Sequence, residues 1–240
     1  MSRRAFDPSV REWMDLDQPV TAELEKDLAN LVTLNRLFGS HTLVLRFLRS
    51  RLTRDRCWRI LDLATGSADI PRAIAAWARR NGLDVQIDAV DAQPSTVAIA
   101  RKLSEGFSNI SISEADILTF DPGTTWDVVL CSLALHHFSD HNATSILRRM
   151  AFLGTHHVFA SDLRRSGLAT FSIDLLTTVW MREKMTRNDA RLSARRAFSF
   201  RELHALAVAA GWKNFQHIRA FCFRQALTMD FSFPRNVSPR

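Results

Sequence analysis

Residues 59–77, RILDLATGSADIPRAIAAW, run an apolar strand straight into a turn of small residues and then into an amphipathic helix. A helix that starts directly after a strand presents unpaired backbone N–H groups and the positive end of its dipole to whatever lies above the turn. Gly66 has no Cβ, so the backbone can approach a ligand closely there, and the small neighbours Ala64, Ser67 and Ala68 keep the passage open. Around this unit, short apolar runs at 60–64, 85–90, 110–112, 128–133 and 157–160 alternate with helical stretches at 69–80, 95–105 and 140–150. Such alternation builds a parallel sheet with helices on both faces.

The flanks complete an α/β plan. Residues 21–52 read as two helices with a break at Gly39-Ser40, so 1–54 is expected to be an N-terminal helical cap on a core spanning 55–240. An arginine-rich insertion, 163–198, follows the fifth strand. Ser199 with Glu202 three residues on is a capping box that opens a helix closed by Gly211, and two β-like runs around Arg224 suggest a terminal hairpin. With 240 residues, 46% of them hydrophobic, the chain can bury one substantial core, and it is expected to form one compact unit.

Two common occupants do not suit the turn. A P-loop ends in Lys followed by Ser or Thr, where Asp69, Ile70 and Pro71 stand, and a dinucleotide fingerprint needs three spaced glycines where Gly66 stands alone. A carboxylate at Asp69 would also repel phosphate. Asp91 closes VQIDAVD 25 positions after Gly66, near the roughly 20-residue spacing at which an acid meets ribose hydroxyls. Asp116 follows the next strand, where a carboxylate can accept from an exocyclic amine. Singly these are ordinary turn acids; their order and spacing together point to a nucleoside-bearing ligand.

The ordered segments LDLATGSAD, AVDAQP, EADIL and DVVLCSLALHHFSD resemble the class I S-adenosylmethionine-dependent methyltransferases over about residues 55–165. The resemblance implies a Rossmann-like seven-stranded sheet and S-adenosylmethionine as cofactor. In that family the first loop, usually D-x-G-x-G-x-G followed by Asp, cradles the methionine moiety, which carries over to Asp62, Ala64, Gly66, Ser67 and Asp69. The ribose then falls to Asp91 with Ala92, and adenine to Asp116 with Ile117, while Cys131, Ser132 and Leu133 pass under the sulfonium. Two family glycines are alanines here, Ala64 and Ala68; an A-x-G pattern recurs in relatives that methylate quinone precursors, and cofactor binding is expected to be retained. REWMD, NLVTLNRLFG and RNDARLSARRAFSFREL resemble a narrower group of bacterial small-molecule methyltransferases of polyketide and aromatic secondary metabolism. From these segments Glu12, Met14, Asn35 and Arg36 are expected near the substrate, with Arg164 and Trp180 as further contacts.

Methyl transfer from a sulfonium is an in-line displacement, in which orientation supplies much of the acceleration and a base is needed only for a neutral nucleophile. His136 and His137 follow the fourth strand and are the candidate catalytic residues, either as base or in positioning. With His141 they make a poor tetrahedral zinc set, so no metal is expected. CSLA stands where an amine-methylating enzyme has an N-P-P-Y-like segment, and Cys131 lacks the Pro-Cys setting of RNA cytosine methylation. A small, buried acceptor is therefore expected, methylated on oxygen rather than carbon. Its walls would come from Leu31, Leu34, Leu37, Phe38, Leu45 and Phe47, and from Phe171, Leu175, Leu176, Trp180, Met181 and Met185 of the insertion. The chain has no tyrosine, so His and Arg must supply polar contacts, and Arg164, Arg165, Arg187, Arg195 and Arg196 could orient an acidic acceptor.

The net charge of +7 keeps two alternatives open, an RNA methyltransferase using the arginine-rich insertion and a non-catalytic, partner-binding relative. All but four of the 32 basic residues are arginine, a bias that genome composition alone can produce, and nucleic acid is not favoured. The best apolar run, Leu168 to Met181, is interrupted by Asp174, and the first 17 residues lack a signal-type apolar segment. Cysteines at 57, 131 and 222 form no framework. A cytoplasmic protein is expected, and a homodimer is compatible with the sequence.

Overall fold

The computed structural model describes residues 4–167 and 184–231. Its sheet contains β1 (Cys57–Leu63), β2 (Asp84–Asp91), β3 (Ile110–Glu114), β4 (Trp126–Ser132), β5 (Gly154–Leu163), β6 (Gln216–Ala220) and β7 (Arg224–Asp230). The order is β3-β2-β1-β4-β5-β7-β6, with β1 to β5 parallel and β7 antiparallel to both neighbours. The chain reverses direction across the sheet between β1 and β4, so a crevice opens at their carboxyl ends, the usual ligand position in such sheets.

Seven helices are described: α1 (Ala22–Leu37), α2 (Ser40–Arg49), α3 (Asp69–Asn81), α4 (Pro94–Ser104), α5 (Asp140–Leu153), α6 (Lys184–Arg196) and α7 (Phe200–Ala209). Their ends follow local chemistry. The Thr21 and Ser139 hydroxyls accept from the N–H groups of Leu24 and Asn142, and Ser199 and Glu202 form both bonds of the capping box. Gly39, at φ +80°, separates α1 from α2 where the sequence breaks.

Strand alternation divides the core. Ile60, Ile87, Val128, Leu130 and Phe159 pack against α2 and α3, while Leu61, Leu63, Val129 and Val158 pack against α5 and α7. Every residue of β4 is buried, as its unbroken apolar run requires at the sheet centre. Leu24 and Leu28 of α1 meet Ile99 of α4, which holds the N-terminal helices over the carboxyl edge. The hairpin turns at Cys222 and Phe223, both at positive φ, and Arg224 opens β7 instead of marking the bend. Two-residue hairpins normally place Asn or Gly at such angles, so Cys-Phe carried no turn signal. Of the insertion, residues 168–183, with Phe171, Leu175, Leu176, Trp180 and Met181, lie outside the described residues. Among the described residues no helix is long and apolar enough to cross a membrane.

Gly154 joins α5 to β5 with no room for a side chain: a Cβ there would meet Val158 Cγ2 at 2.8 Å and the Met150 carbonyl at 3.3 Å. Gly154→Ala is expected to destabilise the fold by about 1–3 kcal/mol through overpacking, read from denaturant midpoints. An unchanged midpoint would mean that the α5–β5 joint yields.

Candidate active site

The β1–α3 turn makes the floor of the crevice. Ala64, Gly66 and Ala68 all take left-handed φ, between +53° and +57°, so the alternate positions at which the resembling family carries glycine are those where the backbone turns left-handed. At Ala64 and Ala68 an L side chain adopts it at a cost of roughly 1–2 kcal/mol. A Cβ added to Gly66 would meet nothing within 4 Å, so the space above the turn is open.

Carboxylates gather around that space. Asp91 Oδ2 accepts from the Gly66 N–H (2.8 Å) and Oδ1 from the Gln93 N–H (3.0 Å). Burial nevertheless raises its pKa above the usual range, against the pull of those two bonds. Asp62 Oδ2 accepts from the Thr65 hydroxyl (2.6 Å), while its buried Oδ1 has no partner. Burial, aided by the charges of Asp69 and Asp91, lifts Asp62 to about 7. Asp69 Oδ2 accepts from His41 Nε2 (2.6 Å) and Asn35 Nδ2 (3.3 Å), which ties α1 and α2 to the turn. The electrostatics favour a ligand bearing positive charge and hydrogen-bond donors, and disfavour a phosphate.

A cavity of about 630 Å³ lies above these groups, within the range of small-molecule sites. Asp62, Ala64, Gly66, Ser67, Asp69, Asp91, Ala92, Asp116, Ile117, Ser132 and Leu133 all line it, and so do Glu12, Met14, Asn35, His136 and His137. Cys131 is wholly buried in β4, its thiol pushed well up by burial, and does not reach the cavity. Arg36 is exposed at the end of α1, and Arg164 turns away to lie 5.9 Å from the Phe223 ring. Trp180 is outside the described residues. Leu31, Leu34 and Phe38 form apolar wall, whereas Leu37 faces solvent and Phe47 packs in the core.

The two histidines occupy unlike settings. His136 is buried; its Nδ1 donates to Asp162 Oδ1 (2.6 Å) and its backbone N–H to Oδ2 (2.8 Å). A neutral ring so paired carries its proton on Nδ1, and its Nε2 lies 3.8 Å from Glu12 Oε1. His137 Nδ1 donates to Asp15 Oδ2 (2.6 Å), and its Nε2 lies 3.8 Å from Glu12 Oε2. Burial works against charging His137, but Glu12 and Asp15 outweigh it and hold the ring at about 10, an imidazolium at neutral pH. Among the described residues, Glu12, His136 and His137 are the group whose donor atoms converge closely enough, within 4.8 Å, to hold a metal ion. Glu12 takes the place that the sequence offered to His141, and the His137 proton already supplies the counter-charge.

Residues 4–15 cross above this cluster and are tied to α6. Asp189 accepts from the N–H groups of Trp13 and Met14, and Ser193 donates to Glu12 Oε1 (2.7 Å). The Arg4 guanidinium donates to the carbonyls of His136, Phe138 and Arg196, pairs with Asp140 and stacks 3.7 Å from the Phe198 ring. Asp162, Asp15, His41 and Arg4 escaped sequence reasoning. Asp162 carried a usable signal, since it stands near the carboxyl end of a parallel strand; the others depend on contacts between distant segments.

A family profile described as a methyltransferase domain matches residues 60–154. The trans-aconitate 2-methyltransferases of Mycobacterium ulcerans and Mycobacterium marinum are 33% identical to this chain over 92 residues, 38% of this chain and 32% of theirs. The chain thus aligns with about a third of the length of these curated relatives. An O-methyltransferase family protein of Burkholderia thailandensis superposes with a TM-score of 0.63 at 17% identity, covering 88% of this chain and 60% of that one. Human N-acetylserotonin methyltransferase in complex with S-adenosylmethionine gives 0.60 at 18% identity, covering 86% and 55%. At such identities the likeness is one of fold.

Proposed function

We propose, from the premise that residues 60–154 are a methyltransferase domain on the class I S-adenosylmethionine-dependent methyltransferase fold, that this chain transfers a methyl group to a hydroxyl of a small aromatic or polyketide-like acceptor. The observation that carries this reading is His136, held by Asp162 in the wall of the cavity that the β1–α3 turn also lines.

The turn fits the cofactor. Asp62 Oδ1 is a buried acceptor in want of a donor, and an ammonium group or an ordered water would satisfy it. Asp91 and Asp116 offer oxygens for ribose hydroxyls and an adenine amine, and Ser132 and Leu133 would underlie the sulfonium. S-adenosylmethionine would supply an electrophilic methyl carbon. The protein's share is to align the acceptor oxygen with that carbon, exclude water with Leu31, Leu34 and Phe38, and accept the hydroxyl proton at His136 Nε2. Asp162 stabilises the imidazolium that results. His137, already protonated, is not the base.

Because burial lifts Asp62 to about 7, a ligand ammonium beside it should favour its ionised form. Binding of S-adenosylhomocysteine at pH 7 is therefore expected to release up to roughly half a proton, read as different binding enthalpies in phosphate and Tris buffers. Equal enthalpies after correction would remove Asp62 from the cofactor site. The reaction itself is tested by incubating the protein with S-adenosylmethionine and a panel of phenols, hydroxyquinones and hydroxylated polyketide lactones. Mass spectrometry should find an O-methylated product with at least one; cofactor binding without product from any of them overturns the proposal.

A further inference from the structure

Arg224 opens β7 beside Leu163 of β5, and it lines the cavity although only 6% exposed. Its Nε donates to Ser40 Oγ (3.1 Å), and the guanidinium lies 5.8 Å from the Phe38 ring. Its terminal nitrogens meet no acceptor among the described residues. Asp162, the acid whose charge acts on it most strongly, is already committed: Oδ1 accepts from His136 Nδ1 and the Leu163 N–H, and Oδ2 from the His136 N–H. Burial drags the Arg224 guanidinium down to about 10, the response of a cation that has lost water without gaining a counter-ion.

Other arginines of this region are engaged. Arg165 is forked on Glu202, Arg4 pairs with Asp140, and Arg196 donates to the carbonyls of Asp7 and Val10. The sequence offered the insertion arginines to an acidic acceptor; of these Arg196 lines the cavity, with Nη2 given to backbone carbonyls and a buried Nε that has no partner, while Arg224 lines it beside apolar wall from Phe38 and Leu163. A guanidinium presents a planar fork of donors matched to a carboxylate.

We propose that Arg224 receives a carboxylate of the acceptor, which makes the substrate class a hydroxylated aryl carboxylic acid. This rests on the methyltransferase reading above. The same chemistry could come from the methionine carboxylate of the cofactor, so the experiment has two arms. In the first, S-adenosylhomocysteine is titrated calorimetrically into the wild type and Arg224→Met. In the second, protein saturated with S-adenosylhomocysteine is titrated with 4-hydroxybenzoate, its methyl ester and its amide.

The expected result is that the wild type binds the acid at least about tenfold more tightly than the ester or amide. Arg224→Met should lose that preference and keep its S-adenosylhomocysteine affinity, and Arg224→Lys should recover part of the preference. The wild-type comparison needs no variant, so a variant that fails to fold leaves the test standing. Ester and amide binding as tightly as the acid, or none of the three binding to the loaded protein, overturns the inference and leaves cofactor binding intact. A drop in S-adenosylhomocysteine affinity in Arg224→Met, with acid preference unchanged, assigns the residue to the cofactor and also overturns it. Failure of the wild type to bind S-adenosylhomocysteine overturns the parent reading and this inference with it.

Discussion

His136→Gln is expected to lower kcat for a phenolic acceptor by about 10²–10⁴-fold, the usual worth of a positioned general base, while leaving S-adenosylhomocysteine affinity unchanged. Glutamine keeps a polar side chain in the cavity wall but cannot take a proton. Asp162→Asn should reproduce most of the loss, because an amide facing Nδ1 no longer selects the tautomer that leaves Nε2 free. The loss should shrink as pH rises through the ionisation of the acceptor hydroxyl, since a phenolate needs no base. A structural role for His136 would instead lower kcat equally at every pH. Wild-type turnover by His136→Gln at neutral pH would move the proton acceptor elsewhere and remove the support for a hydroxyl nucleophile.

The largest stability effect is expected at His137. Its folded-state pKa, about 10, lies above the ordinary histidine value of 6.5, so the protonated ring stabilises the fold fully below about 6.5. That contribution fades as pH rises and is gone above about 10. Glu12 is buried and Asp15 half-buried, so losing the proton between them leaves two carboxylates facing one another. The wild type is therefore expected to lose on the order of a few kcal/mol of unfolding free energy between pH 6.5 and 10. His137→Gln should be destabilised by a similar amount at pH 7 and show a much flatter alkaline limb. A wild-type stability that holds constant from pH 7 to 10 would contradict the ion cluster and leave residues 4–15 secured by α6 and Arg4 alone.

The fold and the candidate site were legible to different degrees, for physical reasons. Short apolar runs at 60–64, 85–90 and 128–133, and the capping box of Ser199 and Glu202, act within a few residues, so the sheet strands and that helix start could be read directly. The residues drawn together above the β1–α3 turn are ordered by one strand–turn–helix unit and its neighbours, and that too is near-local information. Arg36, Arg164 and Cys131 show where such reading stops: spacing names a segment, whereas the direction of a side chain depends on packing. The Glu12, Asp15 and His137 cluster spans 122 positions between Asp15 and His137, and the Arg4 contacts to His136 and Phe138 span more than 130, so no periodicity announces them. Ala64 and Ala68 take positive φ on either side of Gly66, so the loop keeps a left-handed path at the two positions where the resembling family carries further glycines.

The central claim is that this loop holds S-adenosylmethionine, and calorimetric titration of S-adenosylmethionine and S-adenosylhomocysteine into the protein, beside Asp91→Ala, tests it most directly. Saturable one-to-one binding on the order of micromolar, about 8 kcal/mol, is expected for the wild type. Asp91→Ala should lose it, since the substitution removes the ribose acceptor and also the group that holds the Gly66 and Gln93 N–H groups in place. No binding by the wild type, or equal binding by Asp91→Ala, would contradict the account.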